Sequence, residues 1–274
     1  MPERMVVYTA LFGDYDHLVE PSGSFENCDF ICFTDQADLN CSKHWRVILV
    51  KDCHFSPVLM NRMYKILPHR FLQEYDLSLY VDSNIKILSD PSKIPLFSEG
   101  GAHNIIIPSH FSRKCLYDEA FVLIRSGRVD IQKVFKRMFS FMSSGYFCQT
   151  DMGENNIIFR RHNLLIDFSE YWWSIFIEGP HRDQLSLAYV SWKMHTPVLT
   201  SSEISSRGSV YFSIKKHKHL FQRSGFHHFY LLLFFAIPYY VFIKLYATFF
   251  ILKRLMHKLL SHCKVSPNRW TENR

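Results

Sequence analysis

Strand-like and helix-like signals alternate through the first third of the chain, and that alternation restricts the fold more than any other feature. Four short runs are rich in β-branched and aromatic residues: Met5 to Leu11 (MVVYTAL), Asp29 to Phe33 (DFICF), Trp45 to Val50 (WRVILV) and Leu77 to Val81 (LSLYV). Each is followed by polar punctuation, as strands are. A helix candidate, Leu59 to Tyr75, separates the last two, and Pro68 is expected to kink or split it. Such a pattern reads as an α/β fold around a Rossmann-type, mostly parallel sheet flanked by helices, with ligands bound where the strands end. Further along, the pattern predicts a buried strand at Asn104 to Pro108, helices at Arg113 to Arg125 and Val129 to Met142, a late strand in IIFRRH from Ile157, and a helix over Asp183 to Trp192.

The chain has 274 residues, 47% of them hydrophobic and 21% charged, which excludes a disordered, collagen-like or polytopic membrane protein. One globular domain over 1–210 and a different segment over 211–274 are expected. Seven cysteines, at 28, 32, 41, 53, 115, 148 and 263, are an odd number without a CxxC pair, which suggests neither a disulfide framework nor a four-thiolate zinc site. A reducing compartment fits them, and the N-terminus lacks the apolar core and cleavage site of a signal peptide, so the body is expected in the cytoplasm.

The net charge of +7 is concentrated late in the chain, where Lys215, Lys216, Lys218, Arg223, Lys253, Arg254 and Lys258 flank an apolar stretch. That placement favours a membrane surface over a nucleic acid, because the aromatics sit in apolar runs and not on a shared basic face. Phe229 to Leu252 (FYLLLFFAIPYYVFIKLYATFFIL) is nearly long enough to span. Pro238, Lys244 and basic residues at both ends argue for a kinked helix or shallow hairpin in the interface, contacting membrane through 226–260. Such a protein is peripheral or monotopic, on the cytoplasmic face of what is expected to be a bacterial inner membrane. A helix pair packed on the domain or in an oligomer interface is the alternative, and no signal of oligomeric state is legible.

YVDSN at 80 to 84 places an acid at a strand end before a second apolar run, where Asp82 can hold a divalent cation beside a diphosphate; the same pattern also makes an ordinary turn. TALFGDYD at 9 to 16 can hold a base and ribose with Thr9, Gly13, Asp14 and Tyr15, and Asp35 in FTDQ can meet a ribose or base edge. Neither loop is a GxGxxG fingerprint or a Walker motif. Arg62 and Lys65 share one helix face and can pair with a diphosphate. His110, Arg113, Asp118 and Glu119 follow a buried strand, Arg182, Asp183 and Gln184 open a helix, and Glu154 lies in ENNIIFRRHN after a glycine.

Taken in order, YTALFGDYD, CDFICFTD, NRMYKILPH, YVDSNIKI, HFSRKCLYDEA, ENNIIFRRHN and RDQLSLAYV resemble the TOD/MUCI-type glycosyltransferase-like family over residues 5 to 195. The resemblance implies a GT-A-like nucleotide-sugar-dependent glycosyltransferase. Asp82 then stands at the metal and diphosphate motif, with Asn84 where many such enzymes carry a second acid. It further implies Mg2+ or Mn2+, or reliance on Arg62 and Lys65 in its place, with His110, Arg113, Glu119 and Gln184 on the sugar and acceptor side. Asp183, with Arg182 beside it, is the candidate catalytic carboxylate and Glu154 the reserve. The donor is expected to be a UDP-sugar and the acceptor a glycan or lipid-linked hydroxyl in cell-surface polysaccharide synthesis. A catalytically inactive sugar-nucleotide-binding or scaffold protein of the same fold is the alternative.

Overall fold

The computed structural model describes residues 3–39, 42–98, 103–147, 152–218 and 230–263. Its strands are β1 (Met5–Leu11), β2 (Cys28–Thr34), β3 (Arg46–Leu49), β4 (Leu77–Val81), β5 (Ile85–Ile87), β6 (Ile105–Pro108), β7 (Ile157–Arg160), β8 (Leu199–Ser201) and β9 (Phe212–Ile214). Seven of them form one sheet in the order β3-β2-β1-β4-β7-β6-β8. All run parallel except β7, which is antiparallel to β4 and β6. The mostly parallel sheet is therefore as the alternation implies. Val6, Tyr8 and Ala10 of β1 face one core and Met5, Val7 and Leu11 the other, so apolar side chains cover both faces, as a parallel sheet requires.

The helices are α1 (Pro57–Ile66), α2 (Pro95–Ser98), α3 (Leu116–Arg125), α4 (Ile131–Ser143), α5 (Ile166–Ile177), α6 (Leu187–Lys193) and α7 (Ile237–Cys263). Pro57 starts α1 at a position that needs no N–H, and Asp130 caps α4 by accepting from Lys133 N at 3.0 Å. Three helix expectations are corrected at their ends. The helix expected over Leu59 to Tyr75 stops at Ile66, and Pro68 opens a separate 3-10 turn. Asp183 lies in a 3-10 turn that precedes α6. The helix expected from Arg113 starts at Leu116, since Arg113 belongs to the loop after β6.

β5 pairs with β9 in a small antiparallel sheet, Ile85 opposite Ile214, which draws the chain back across the end of β4 and extends the globular body past residue 210. Phe229 lies outside the described residues. From Leu232 to Ala236 the chain forms a π-helical turn that leads directly into α7. Pro238 follows that turn, where the irregular spacing absorbs its missing N–H. The segment is thus one helix and not a hairpin. Leu231, Ala236, Tyr239 and Ile243 are buried, with Tyr239 against Phe135 of α4 at 5.0 Å between ring centroids. Cys28, Cys32 and Cys53 are free thiols, but Cys115 is disulfide-bonded.

Candidate active site

The loops after β1, β2 and β4 meet α1 at the carboxyl edge of the parallel strands and border the candidate cleft. The loop after β1 turns at Gly13, whose φ of 64° lies in the left-handed region and whose absent Cβ would stand 3.1 Å from Pro57, so a larger residue would strain the turn. The Gly13 N–H donates to both carboxylate oxygens of Asp35 at 2.9 and 3.1 Å, which ties the β1 and β2 loops together. Asn61 of α1 donates its amide to the Ala10 carbonyl and anchors the helix over that loop.

The centre of the cleft is Lys65. Helical side chains lean toward the N-terminus of their helix, so Lys65, near the end of α1, points back to the strand edge. Only 2% exposed, its Nζ lies 2.8 Å from Asp183 Oδ2 and 3.5 Å from Asp82 Oδ1. Arg62 Nε donates to Asp183 Oδ1 at 3.3 Å. Burial alone would raise the Asp183 pKa, but Lys65 and Arg62 overcome it and hold the carboxyl well below the usual range. Tyr80 donates its hydroxyl to Asp82 Oδ1 at 2.9 Å, and burial together with that carboxylate keeps the phenol protonated. Two cations and two carboxylates therefore interlock, with Asp82 the more open of the acids.

A second cluster stands at the end of β6. His110 Nδ1 accepts from the Ser112 and Arg113 N–H groups at 3.2 and 3.1 Å, which leaves that nitrogen unprotonated. Burial, with Arg113 and Arg207 nearby, lowers its pKa to about 4. Arg113 pairs with Glu119 of α3. Burial raises the Glu119 pKa, against the opposing pull of Arg113, Arg182 and Arg128. Glu154 is buried and pairs with Arg207 Nε at 3.2 Å, and Gly153 before it passes so close to Ile107 that a Cβ there would stand 2.1 Å from its Cδ1. Phe111 is exposed, with the Arg207 guanidinium 4.5 Å over its ring. Gln184 is half-buried and lines a small cavity with Met152 and Asn155.

The structure thus brings Arg62, Lys65, Asp82 and Asp183 together, and gathers His110, Arg113, Glu119 and Glu154 beside them. Two expectations need correction. Thr9 is wholly buried within β1, opposite Cys32, so it has no surface for a nucleotide. Asn84 is buried and donates to the Lys215 carbonyl at 3.0 Å, which turns its amide toward the returning chain and away from the Asp82 carboxylate. Asp14 pairs with Lys218, and the exposed Tyr15 ring lies 5.7 Å from His217.

Sequence reading passed over Tyr80, Asp16, Arg160 and Arg207. Asp16 is buried and meets His217 Nδ1 at 2.6 Å, a pairing across the whole domain. Arg160 is wholly buried on β7 and donates to the Lys65 and Ile66 carbonyls and to the Tyr8 hydroxyl, capping the negative end of α1. A charged residue closing the apolar run IIFR is the signal that could have found it.

The donors around Asp82 do not fit a protein-bound Mg2+ or Mn2+. Such ions take several oxygen ligands, whereas Asp82 faces an ammonium and a phenol, and the Asn84 amide is spent elsewhere. Among the described residues no three His, Cys, Asp or Glu side chains converge as a metal site.

A family model described as "TOD1/MUCI70, glycosyltransferase-like domain" matches residues 2–219. A solved structure titled "WbbM bifunctional glycosytransferase apo structure" is similar to this chain at a TM-score of 0.44 and 8% identity, over 74% of this chain and 39% of that one. The chain thus spans well under half of that neighbour. No curated protein matches the sequence.

Proposed function

Because the chain belongs to the TOD1/MUCI70 glycosyltransferase-like family, we propose that it transfers a glycosyl unit from a nucleotide diphosphate sugar, in our reading a UDP-sugar, to a hydroxyl of a glycan or lipid-linked acceptor in cell-surface polysaccharide synthesis. The single observation that carries this reading is the Lys65 ammonium held between Asp82 and Asp183 with Arg62 beside it, at the edge where α/β sheets bind nucleotides.

In the reaction, the bond from the anomeric carbon to the diphosphate breaks and its electron pair leaves with the diphosphate. Lys65 and Arg62 stabilise that developing charge in place of a metal. The acceptor oxygen bonds to the anomeric carbon and gives up its proton. Asp183 is a poor recipient because two cations hold it ionised, so its role is to orient Lys65 and Arg62 and to offset charge at the anomeric centre. Glu119, with the higher proton affinity, suits the acceptor side. The loops carrying Gly13, Tyr15 and Asp35 are the base and ribose side.

The alternative, a nucleotide-sugar-binding protein without turnover, draws on one observation, the diversion of Asn84. UDP release from a panel of nucleotide sugars separates the two, since a binding protein gains thermal protection and releases nothing. Asp82→Asn should cut transfer roughly a hundredfold, about 3 kcal/mol, with the fold retained. Near-full activity in that variant would remove Asp82 from the site.

A further inference from the structure

α3 is a wall shared by the cleft and the apolar C-terminal helix. On its cleft side Glu119 is buried and pairs with Arg113, within the fields of Arg128 and Arg182. Arg182 donates to the backbone carbonyl of Arg128 at 2.9 Å, which sets its guanidinium against the turn after α3, where the Arg128 side chain is exposed. Among the described residues neither Arg128 nor Arg182 forms an ion pair with a carboxylate. One arginine therefore pairs with the buried acid and two more act on it from farther off, an excess of positive charge suited to a phosphate.

The other side of α3 carries α7. Tyr239 donates its hydroxyl to the Tyr117 carbonyl at 3.4 Å, and the Phe121 and Tyr240 rings stand 5.4 Å apart. Further along, Phe139 of α4 meets Tyr246 at 5.7 Å and Phe147 meets Phe250 at 4.5 Å. A helix docked over that length cannot cross a bilayer unless α3 and α4 enter it too. Away from the domain, Leu233, Ile237, Val241, Leu245, Phe249 and Leu252 are exposed in a stripe at helical spacing. Lys244 lies beside this stripe with its ammonium 5.0 Å from the Tyr240 ring. A long apolar face and an arginine-rich cleft, on the two sides of α3, are together complementary to one kind of molecule.

We propose that the acceptor is a lipid phosphate bearing the sugar whose hydroxyl is extended. Its phosphate is taken by Arg113, Arg128 and Arg182, and its hydrocarbon stays in a membrane on which the α7 stripe lies flat. The proposal rests on the transferase reading for the word acceptor, but the site for an anionic lipid is tested without turnover.

The full-length protein is sedimented with three kinds of vesicle: phosphatidylcholine alone, phosphatidylcholine doped with hexadecyl phosphate, and phosphatidylcholine doped with phosphatidylserine to equal charge. Binding at least tenfold tighter to the hexadecyl phosphate vesicles is expected. Arg128→Gln should erase that preference and leave binding to the phosphatidylcholine vesicles unchanged, and Val241→Ser with Leu245→Ser should lower binding to all three vesicles. Equal binding to the two charged vesicles overturns the phosphate site, and failure of the full chain to bind vesicles overturns the membrane face. UDP release absent with every donor, alongside a persisting hexadecyl phosphate preference, would sink the transferase reading and leave the lipid site standing.

Discussion

Two acid–base clusters sit side by side on the same sheet edge, and they are built in opposite ways. Around Lys65 the charges interlock: Asp183 is 7% exposed, touches two cations, and has its proton affinity driven down. At the end of β6 the Glu119 carboxyl has one close guanidinium, and burial drives its proton affinity up. Residue type is the same in kind, yet the surroundings push the two carboxyls apart, which is how a site separates a permanently charged group from one that can exchange a proton. Their geometry also differs in rigidity. The first cluster is locked from behind by Arg160 and Tyr8 on the Lys65 carbonyl, while the second includes an exposed ring, Phe111, and loop arginines.

The contrast can be broken most directly at its pivot. Lys65→Met removes the shared cation and leaves Asp183 buried against Arg62 alone, with Asp82 half-buried and without its ammonium. A loss of about 3–5 kcal/mol of stability is expected, with transfer abolished, as read by denaturant unfolding and UDP release. A variant as stable as the parent would mean that the carboxylates do not depend on Lys65.

The next effect separates the two carboxyls by role. Asp183→Asn should lower turnover roughly a hundredfold without weakening UDP binding, because it frees Lys65 and Arg62 for the diphosphate. Glu119→Gln should instead cost about tenfold in turnover, show little change in UDP affinity, and flatten the acidic limb of the pH–rate profile. Calorimetry with UDP and a pH series on both variants would settle it; the opposite pattern would exchange the two roles.

The smallest effect concerns His110. Its folded pKa of about 4 lies below the 6.5 of an unfolded histidine, so protonation favours the unfolded chain. Its contribution to stability is complete above pH 6.5 and is lost as the pH falls toward 4, by about 1 kcal/mol once solvent screening at this partly open site is allowed for. His110→Gln should make the melting temperature less dependent on pH over that interval. His162, also lowered to about 4 by burial, supplies the slope that remains.

The early strands, their apolar character and the mostly parallel sheet were legible from the chain itself; the order of the strands was not. Period and composition mark strands that are buried on both sides, and a parallel sheet places their following loops together. YVDSN and NRMYK therefore pointed to the same cleft before any contact was known. The antiparallel course of β7 was not legible, because IIFRR reads the same in either direction. Nor was the diversion of Asn84: its partner is the carbonyl of Lys215, brought there by the pairing of β5 with β9. Which carboxylate binds protons and which does not is a matter of distances to Lys65, Arg62 and Arg113, and of burial, none of which a one-dimensional spacing contains. The same holds for the C-terminal helix. Its apolar content was plain in the sequence, but only its packing along α3 and α4 decided that it lies on the domain as one helix, because that choice depends on Tyr117, Phe121, Phe135 and Phe139, residues a hundred or more positions away.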